Sequence, residues 1–178
     1  EEGTVVLARY QENGRGQVGN RWESQAGKNL LASIILTPQF LSARKQFLIS
    51  KITSLAVADF LEKRITGVAI KWPNDIYIEN KKVAGILIEN SIKGQNLFLS
   101  IVGIGLNLNQ EKFVSDAPNP VSLKQITGNN FEVEEVLDEI YETVFNWYEK
   151  LKDGNYDEID EAYLNKLFAY NKLRMYRK

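Results

Sequence analysis

The 178-residue chain contains no cysteine and no histidine. The absence of cysteine excludes disulfides and thiolate chemistry, and it weakly favours a cytoplasmic location. The absence of histidine removes the commonest general base and metal ligand, which argues against Ser-His-Asp hydrolases and histidine-zinc sites. Any chemistry must therefore use lysine, arginine, carboxylate, amide or backbone groups.

Long apolar runs and a surplus of either charge are also missing. No run approaches the ~18 apolar residues that a membrane span needs, and no signal peptide is recognisable. Twenty-two basic residues stand against 23 acidic ones, a net charge of −1 that argues against a general nucleic-acid binder. Hydrophobic residues make up 44% and charged residues 25%, which is typical of a globular chain able to bury a core without metals or disulfides.

The spacing of apolar residues predicts strands grouped between amphipathic helices. Short apolar runs predict strands at 4–10, 29–36, 68–72, 75–79, 82–89 and 96–102. Apolar residues three and four apart predict helices at 39–63, 133–151 and 156–167, with a short one at 121–127. The predicted fold class is α+β, with a mixed, mainly antiparallel sheet flanked by helices.

The segment 11–28 is too long for a hairpin connection and is therefore a candidate functional loop. Glycines at 14, 16 and 19 let the main chain approach a ligand without a Cβ in the way. Arg15 between them can grip a carboxylate or a phosphate through its rigid guanidinium. Taken alone, such a glycine and arginine loop is more often a plain surface loop, and that alternative stays open.

Three later segments carry further candidates. Asn74 and Asp75 follow a strand, where they can either cap a turn or position a nucleotide and its magnesium ion. Lys82 opens an apolar strand; a lysine there usually faces solvent, but inside a pocket it would neutralise the charge that builds when a carboxylate attacks an α-phosphate. Gly103 and Gly105 suggest close approach of the backbone to a flat ligand.

In this order, the segments resemble the catalytic domain of biotin protein ligases, the biotin–[acetyl-CoA-carboxylase] ligases. The family pattern is a GRGRxGRxWxS loop, a G-NL strand, KWPND, K(V/L)-AGIL-E and G-G-N-N. Its counterparts here are Gly14-Arg15-Gly16, Trp22 with Ser24, Gly27 with Asn29-Leu30, Lys71 to Asp75, Lys82 to Glu89, and Gly103 to Asn109. The resemblance implies a fold like that of class II aminoacyl-tRNA synthetases.

The resemblance also implies a two-step reaction. Biotin would be activated with ATP to biotinyl-5′-AMP and then transferred to a specific lysine of a biotin carboxyl carrier protein. ATP and Mg²⁺ would be the cofactors, biotin the substrate, and the carrier domain of a carboxylase the protein partner. A homodimer is a possible assembly, while neither DNA nor a membrane is expected as a partner.

Roles for individual residues follow from the resemblance. The biotin site would be lined by Gln11, Gly14, Arg15, Gly16, Lys82, Gly103 and Gly105. ATP or the adenylate would meet Arg21, Trp22, Asn74, Asp75 and Asn107, with Asp75 as a candidate Mg²⁺ ligand. Arg15 and Lys82 would be catalytic, because they offset the charge of two anions that the site brings together. Catalysis by positioning and charge needs no histidine.

The chain departs from the family pattern at two positions of the loop. Gln17 and Asn20 stand where arginine is usual, and Arg21 follows one place later. We expect Gln17 to order the loop less tightly around the adenylate than an arginine would.

The ends of the chain also differ from the family pattern. We expect the catalytic domain to span residues 1–167 and residues 168–178 to begin a C-terminal β-barrel domain that is largely missing. The family's Ser-Thr-Asn segment is expected upstream of the first strand and is absent from these 178 residues, as is a helix-turn-helix.

Two other functions remain as alternatives. Lipoate–protein ligases share a related fold and an adenylate, but their Arg-Arg-x-Ser-Gly-Gly-Gly loop is not present. A non-catalytic biotin-binding module would keep the fold without the chemistry, and retention of Arg15, Lys82 and Asp75 argues against it.

Overall fold

A six-stranded sheet carries the fold in the computed structural model, which describes residues 1–16, 21–114 and 119–170. The strands are β1 (Val5–Leu7), β2 (Gly14–Arg15), β3 (Arg21–Trp22), β4 (Leu30–Leu36), β5 (Val68–Lys71), β6 (Asp75–Ile78), β7 (Lys81–Lys93) and β8 (Asn96–Leu106). The main sheet has the order β1-β4-β8-β7-β6-β5, and β2 and β3 form a separate two-stranded ribbon.

Among the described residues, four α-helices accompany the sheet. They are α1 (Phe47–Glu62), α2 (Leu123–Thr127), α3 (Val133–Lys152) and α4 (Tyr156–Lys166). Helix α1 packs against α3, α4 and the strands β5, β6 and β7, while α3 also contacts β4. The described helices include none with the length and apolar character required to cross a membrane.

The predicted α+β class is confirmed, and the sheet is more regular than the sequence suggested. All six strands pair antiparallel, and parallel pairing within the described ranges is limited to isolated bridges such as Ile70 with Leu167. The predicted helix 39–63 begins only at Phe47, because the hydroxyl of Ser42 accepts the N–H of Arg44 and starts a 3-10 turn at Ala43–Lys45. The predicted loop 11–28 contains the short ribbon of β2 and β3.

The hydrophobic core lies between the sheet and the helices. Successive side chains of a strand point to opposite faces, so Ile34, Val102 and Ile104 all reach the core, each no more than 2% exposed. Leu55 and Phe60 of helix α1, both fully buried, belong to the same core cluster. The helices thus cover one face of β4, β7 and β8 and leave the other face open.

The N-terminal segment is tied to α3 through the carboxylate of Glu2. That carboxylate accepts hydrogen bonds from the Thr37 N–H (2.9 Å), the Thr37 hydroxyl (2.9 Å) and the Tyr148 hydroxyl (2.8 Å). Burial acts to raise the pKa of Glu2, but these hydrogen bonds and the nearby Lys152 ammonium outweigh it and hold the pKa below its ordinary value. The folded state therefore favours an ionised Glu2.

The chain continues past α4 along the edge of β5. The Phe168 N–H donates to the carbonyl of Ile70 (2.8 Å), and the Phe168 ring lies 5.6 Å from that of Tyr77. Residues 171–178 lie outside the described ranges, so a domain boundary at 167/168 stays a prediction.

Candidate active site

A cleft of about 410 Å³ lies on the open face of the sheet. Its floor is formed by β4, β7 and β8, and its walls by the β2–β3 ribbon and by the turn before β6. The predicted site residues that line it are Gln11, Arg15, Gly16, Arg21, Trp22, Asn74, Asp75, Lys82, Gly103 and Gly105. Segments far apart in the sequence therefore converge on one site, as predicted.

The floor consists of rows of residues that are paired across neighbouring strands. In one row, Asp75, Gly85, Gly105 and Leu31 follow one another across β6, β7, β8 and β4. In the next row, Leu87, Gly103 and Ser33 lie side by side. The glycines lower the floor because nothing projects from them, and alternation along each strand keeps all these positions on the open face.

Lys82 enters the cleft through an irregularity in strand pairing. Tyr77 pairs with Lys82 but Ile76 pairs with Ala84, so Val83 is an extra residue without a partner on β6. Val83 is fully buried in the core. A bulge of this kind re-aims the neighbouring side chain, and here it turns Lys82 to the face that carries Gly85.

Lys82 and Asp75 form an ion pair in the cleft. Their Nζ and Oδ1 atoms are 2.7 Å apart, and the two side chains are 23% and 21% exposed. Asn74 fixes the start of β6 beside them, since its Nδ2 donates to the carbonyl of Ile86 (2.7 Å) and its own carbonyl accepts the Ile86 N–H (2.9 Å). An anionic ligand that binds Lys82 must compete with Asp75.

Arg15 has a carboxylate partner as well. Its Nη2 lies 3.4 Å from Oε2 of Glu89, and both side chains are largely exposed. Such an exposed pair contributes little to the stability of the fold. It nevertheless joins Arg15 on the β2–β3 ribbon to Glu89 on β7, on the far side of the cleft. Both predicted catalytic cations are therefore paired with carboxylates of the protein.

Trp22 covers part of the floor. Its ring centroid is 5.7 Å from Nζ of Lys82, and its indole lies against Gly85 and Gly105. Within the described part of the chain, its buried Nε1–H has no hydrogen-bond partner. The flat group that lies against Gly105 is thus a side chain of the protein itself.

Two predicted ligand contacts do not line the cleft. Gly14 is buried in β2, where a Cβ would collide with the carbonyl oxygen of Trp22, so its smallness is needed by the ribbon. Asn107 is 3% exposed and its Nδ2 donates to the carbonyl of Val121 (3.1 Å). Contact of either residue with a substrate stays a prediction.

Other motif residues form a scaffold behind the cleft. Asn29 is 1% exposed; its amide donates to Gln110 (2.6 Å), and its oxygen accepts the N–H of Leu108 (3.1 Å). Asn109 binds the main chain of Phe131 in both directions. These amides join the end of β8 to the loop before β4 and to the segment before α3.

Sequence reasoning missed several residues that line the cleft. They are Glu12, Asn13, Leu31, Ala32, Ser33, Gly85, Ile86, Leu87, Glu89, Ile101 and Ile104. Steps of two residues along the strand from Gly103 and Gly105 would have identified Ile101, and the same step from Gly85 would have identified Leu87 and Glu89. Gln17 and Asn20, the departures from the family loop, lie outside the described residues.

No group of three or more carboxylate or other metal-binding side chains is found within residues 1–16, 21–114 and 119–170. The predicted role of Asp75 as a Mg²⁺ ligand stays a prediction.

Comparison with known proteins agrees with this geometry. The family model described as Biotin/lipoate A/B protein ligase family matches residues 1–107. A biotin–[acetyl-CoA-carboxylase] ligase of Paracoccus denitrificans is 36% identical over 168 residues, covering 89% of this chain and 68% of that protein. The bifunctional ligase/repressor BirA of Bacillus subtilis is 35% identical over 146 residues, covering 78% of this chain and 44% of that protein.

The fold has a close counterpart among solved structures. The biotin protein ligase of Aquifex aeolicus, in complex with biotin and ATP, superposes with a TM-score of 0.81 at 31% identity, over 95% of this chain and 70% of that one. The chain therefore belongs to the biotin/lipoate A/B protein ligase family. Within that family it is the biotin protein ligase catalytic domain that the chain matches, and the predicted class of enzyme is confirmed.

Proposed function

We propose that the cleft activates biotin with ATP to biotinyl-5′-AMP and then passes the biotin to a lysine of a biotin carboxyl carrier domain. The observation that carries this proposal is the convergence of Arg15 and Lys82 on one cleft with a glycine-lined floor. The similarity to a ligase that binds both biotin and ATP supports it.

The two substrates would lie end to end along the strands. Around Gly103 the floor is lined by Leu87 and Ile101, and such an apolar surface suits the ring system and tail of biotin. At the other end, Trp22 offers an aromatic face on which a base can stack. Lys82 lies next to Gly85, at the Trp22 end of the floor.

Charge and proximity would supply the first step. A carboxylate oxygen of biotin attacks the α-phosphorus of ATP, and the bond to the β-phosphate oxygen breaks to release pyrophosphate. Lys82 would leave Asp75 and bind the oxygens on which negative charge grows, while Arg15 would leave Glu89 and hold a second anionic group. Holding two anions together in reacting geometry accounts for much of the rate.

In the second step the carrier lysine attacks the acyl carbon of the adenylate. A C–N bond forms, the C–O bond to AMP breaks, and the amine loses a proton to solvent. The chain contains no histidine to act as a general base. The high reactivity of the adenylate's acyl carbon would therefore drive this step.

Magnesium would be shared between ATP and the protein. Mg²⁺ commonly binds one or two carboxylates together with substrate phosphates, and Asp75 is the carboxylate beside Lys82 in the cleft. The ion would neutralise part of the phosphate charge. A role for Asp75 in holding it would free Lys82 for the substrates.

Biotin-dependent exchange of labelled pyrophosphate into ATP tests the proposal, with lipoate as the matched alternative substrate. We expect exchange with biotin and none with lipoate, followed by avidin-detected labelling of a carrier domain. Exchange with lipoate alone would assign the cleft to a lipoate ligase. If calorimetry shows tight biotin binding but no pyrophosphate exchange occurs, the chain would be a non-catalytic biotin-binding module.

We also propose that residues 1–167 form this catalytic domain and that residues 168–178 begin the C-terminal β-barrel domain. The hydrogen bond from Phe168 to Ile70 ties the first residue of the second segment to the sheet edge. Limited proteolysis tests the boundary, since cleavage after Tyr170 should keep this contact and leave the melting temperature nearly unchanged.

A further inference from the structure

The floor of the cleft contains a gap two residues wide. Gly85 and Gly105 face each other in register on β7 and β8, between Asp75 on β6 and Leu31 on β4. Both glycines lie on the open face, where any other residue would project a side chain into the cleft.

The indole of Trp22 fills this gap. A Cβ at Gly105 would lie 2.6 Å from Cε2, 2.8 Å from Cζ2 and 3.0 Å from Nε1 of Trp22, against 3.4–4 Å for an ordinary contact. A Cβ at Gly85 would lie 3.0 Å from Cζ3 of the same ring. Gly103, two residues away on the same face, differs: a Cβ there would meet only Leu87.

We propose that Gly85 and Gly105 are positioning residues that form a seat for Trp22 and thereby set the height of the surface on which the nucleotide base stacks. The proposal rests on the proposed function for the identity of the nucleotide, whereas the seat itself rests on the contacts of Trp22 with the two glycines. The three atoms nearest to the Cβ at Gly105 all belong to Trp22, so that position acts through the indole.

The indole nitrogen adds no hydrogen bond within the described ranges that would fix the ring at this position. Nε1 of Trp22 is buried without a partner among the described residues, although indole N–H groups usually find an acceptor when buried. The lack of a partner means that no hydrogen bond holds the ring in place. Steric fit against the two glycines and contact with Lys82 are left to do so.

The first arm of the test uses no ligand. The chain has three tryptophans, so 5-fluorotryptophan labelling yields three ¹⁹F resonances, and a Trp22→Phe variant assigns the one from Trp22. We expect Gly105→Ala to shift that resonance strongly, Gly85→Ala to shift it less, and Gly103→Ala, the control for this arm alone, to leave it in place. An unchanged Trp22 resonance in both Gly105→Ala and Gly85→Ala overturns the seat.

The second arm measures ATP binding by calorimetry, using an analogue with a non-cleavable α,β-methylene link. We expect Gly105→Ala to weaken binding about tenfold, as loss of good base stacking does. In a Trp22→Ala background the same glycine substitution should change affinity by less than about twofold, because the group it displaces is gone. An equal loss in both backgrounds would mean that Gly105 acts on the ligand directly and would overturn the proposed link.

The two arms separate the seat from the enzyme activity. If the wild-type chain binds no ATP analogue, the proposed function and the link to the nucleotide both fail, while the ¹⁹F arm still decides whether the glycine pair seats the indole. Thermal unfolding of each variant establishes that it is folded, and Gly85→Ala supplies a milder variant if Gly105→Ala does not fold.

Discussion

On the covered face of β7 and β8, Val102 and Ile104 are at most 2% exposed and pack under the helices. On the open face of the same strands, Gly85, Gly103 and Gly105 leave room for an indole and for a ligand. The residues of the two faces alternate one by one along the chain. A strand can thus hold a tightly packed core on one side and an unfilled cleft on the other, and substitutions on the two faces should have separable effects.

Lys82→Ala should give the largest effect on the open face. We expect pyrophosphate exchange to fall roughly 1,000-fold, because losing one group that stabilises developing charge costs on the order of 10²–10³. The fold should persist, since Lys82 is partly exposed and packs outside the core. Lys81→Ala, which removes the exposed lysine next to it, is the matched control and should keep full exchange. Retained exchange in Lys82→Ala would contradict the assignment.

The same substitution at two isoleucines compares the faces directly. Ile34 is fully buried on the covered face, whereas Ile101 is 36% exposed and lines the cleft. We expect Ile34→Ala to lower the free energy of unfolding by about 3 kcal/mol and Ile101→Ala by less than about 1 kcal/mol. Biotin affinity by calorimetry should respond in the opposite order. Equal losses of stability would show that the two faces are not energetically distinct.

Gln17→Arg tests the departure from the family pattern in the segment between β2 and β3. A restored arginine should retain the adenylate more tightly, slowing its release on the order of tenfold, because charge-assisted hydrogen bonds to phosphate are strong. Release of labelled biotinyl-5′-AMP from the two proteins measures this. Equal release rates would reject the idea that Gln17 loosens the loop.

Glu2→Gln tests the contact of the N-terminal segment with helix α3, beside the covered face of the sheet. We expect a smaller effect on stability than at Ile34. The folded-state pKa of Glu2 is lowered, so its contribution to stability is present above the unfolded pKa and is lost as pH falls through the folded one. We expect a loss of about 1 kcal/mol near neutral pH, kept small by partial exposure. In urea titrations the difference from wild type should shrink as the pH falls below 4.5, the ordinary pKa of a glutamate. A difference that is constant with pH would assign the effect to packing instead.

The fold class and most elements could be predicted because both depend on local pattern. The apolar spacing of 133–151 matches α3 to within a residue, and the strands at 68–71 and 75–78 match as closely. The start of α1 was misplaced by eight residues, since the apolar residues at 40 and 41 continue the helical spacing while Ser42 diverts the backbone into a 3-10 turn.

The site could be predicted in its members more than in its arrangement. Motif order alone selected Arg15, Lys82 and Asp75, and all three line the cleft. Their pairing could not be read from the sequence: Lys82 with Asp75, and Arg15 with Glu89. Pairing depends on cross-strand register: Lys82 reaches Asp75 through the irregular pairing of β6 with β7, and Arg15 and Glu89 are 74 residues apart in the chain.

By itself the sequence determined the chemistry available to this protein: no histidine or thiol, two candidate cations, and glycines in place of side chains at the strands below them. These are properties of residue type and of order along the chain, so they can be read from the sequence without knowing any tertiary contact. The tertiary structure decided where those groups point. The unpaired Val83 turns Lys82 into the cleft, and the register of β7 with β8 sets Gly85 opposite Gly105 beneath Trp22. Such orientations are settled only when distant strands pair, because a shift of one residue would exchange the two faces of the sheet.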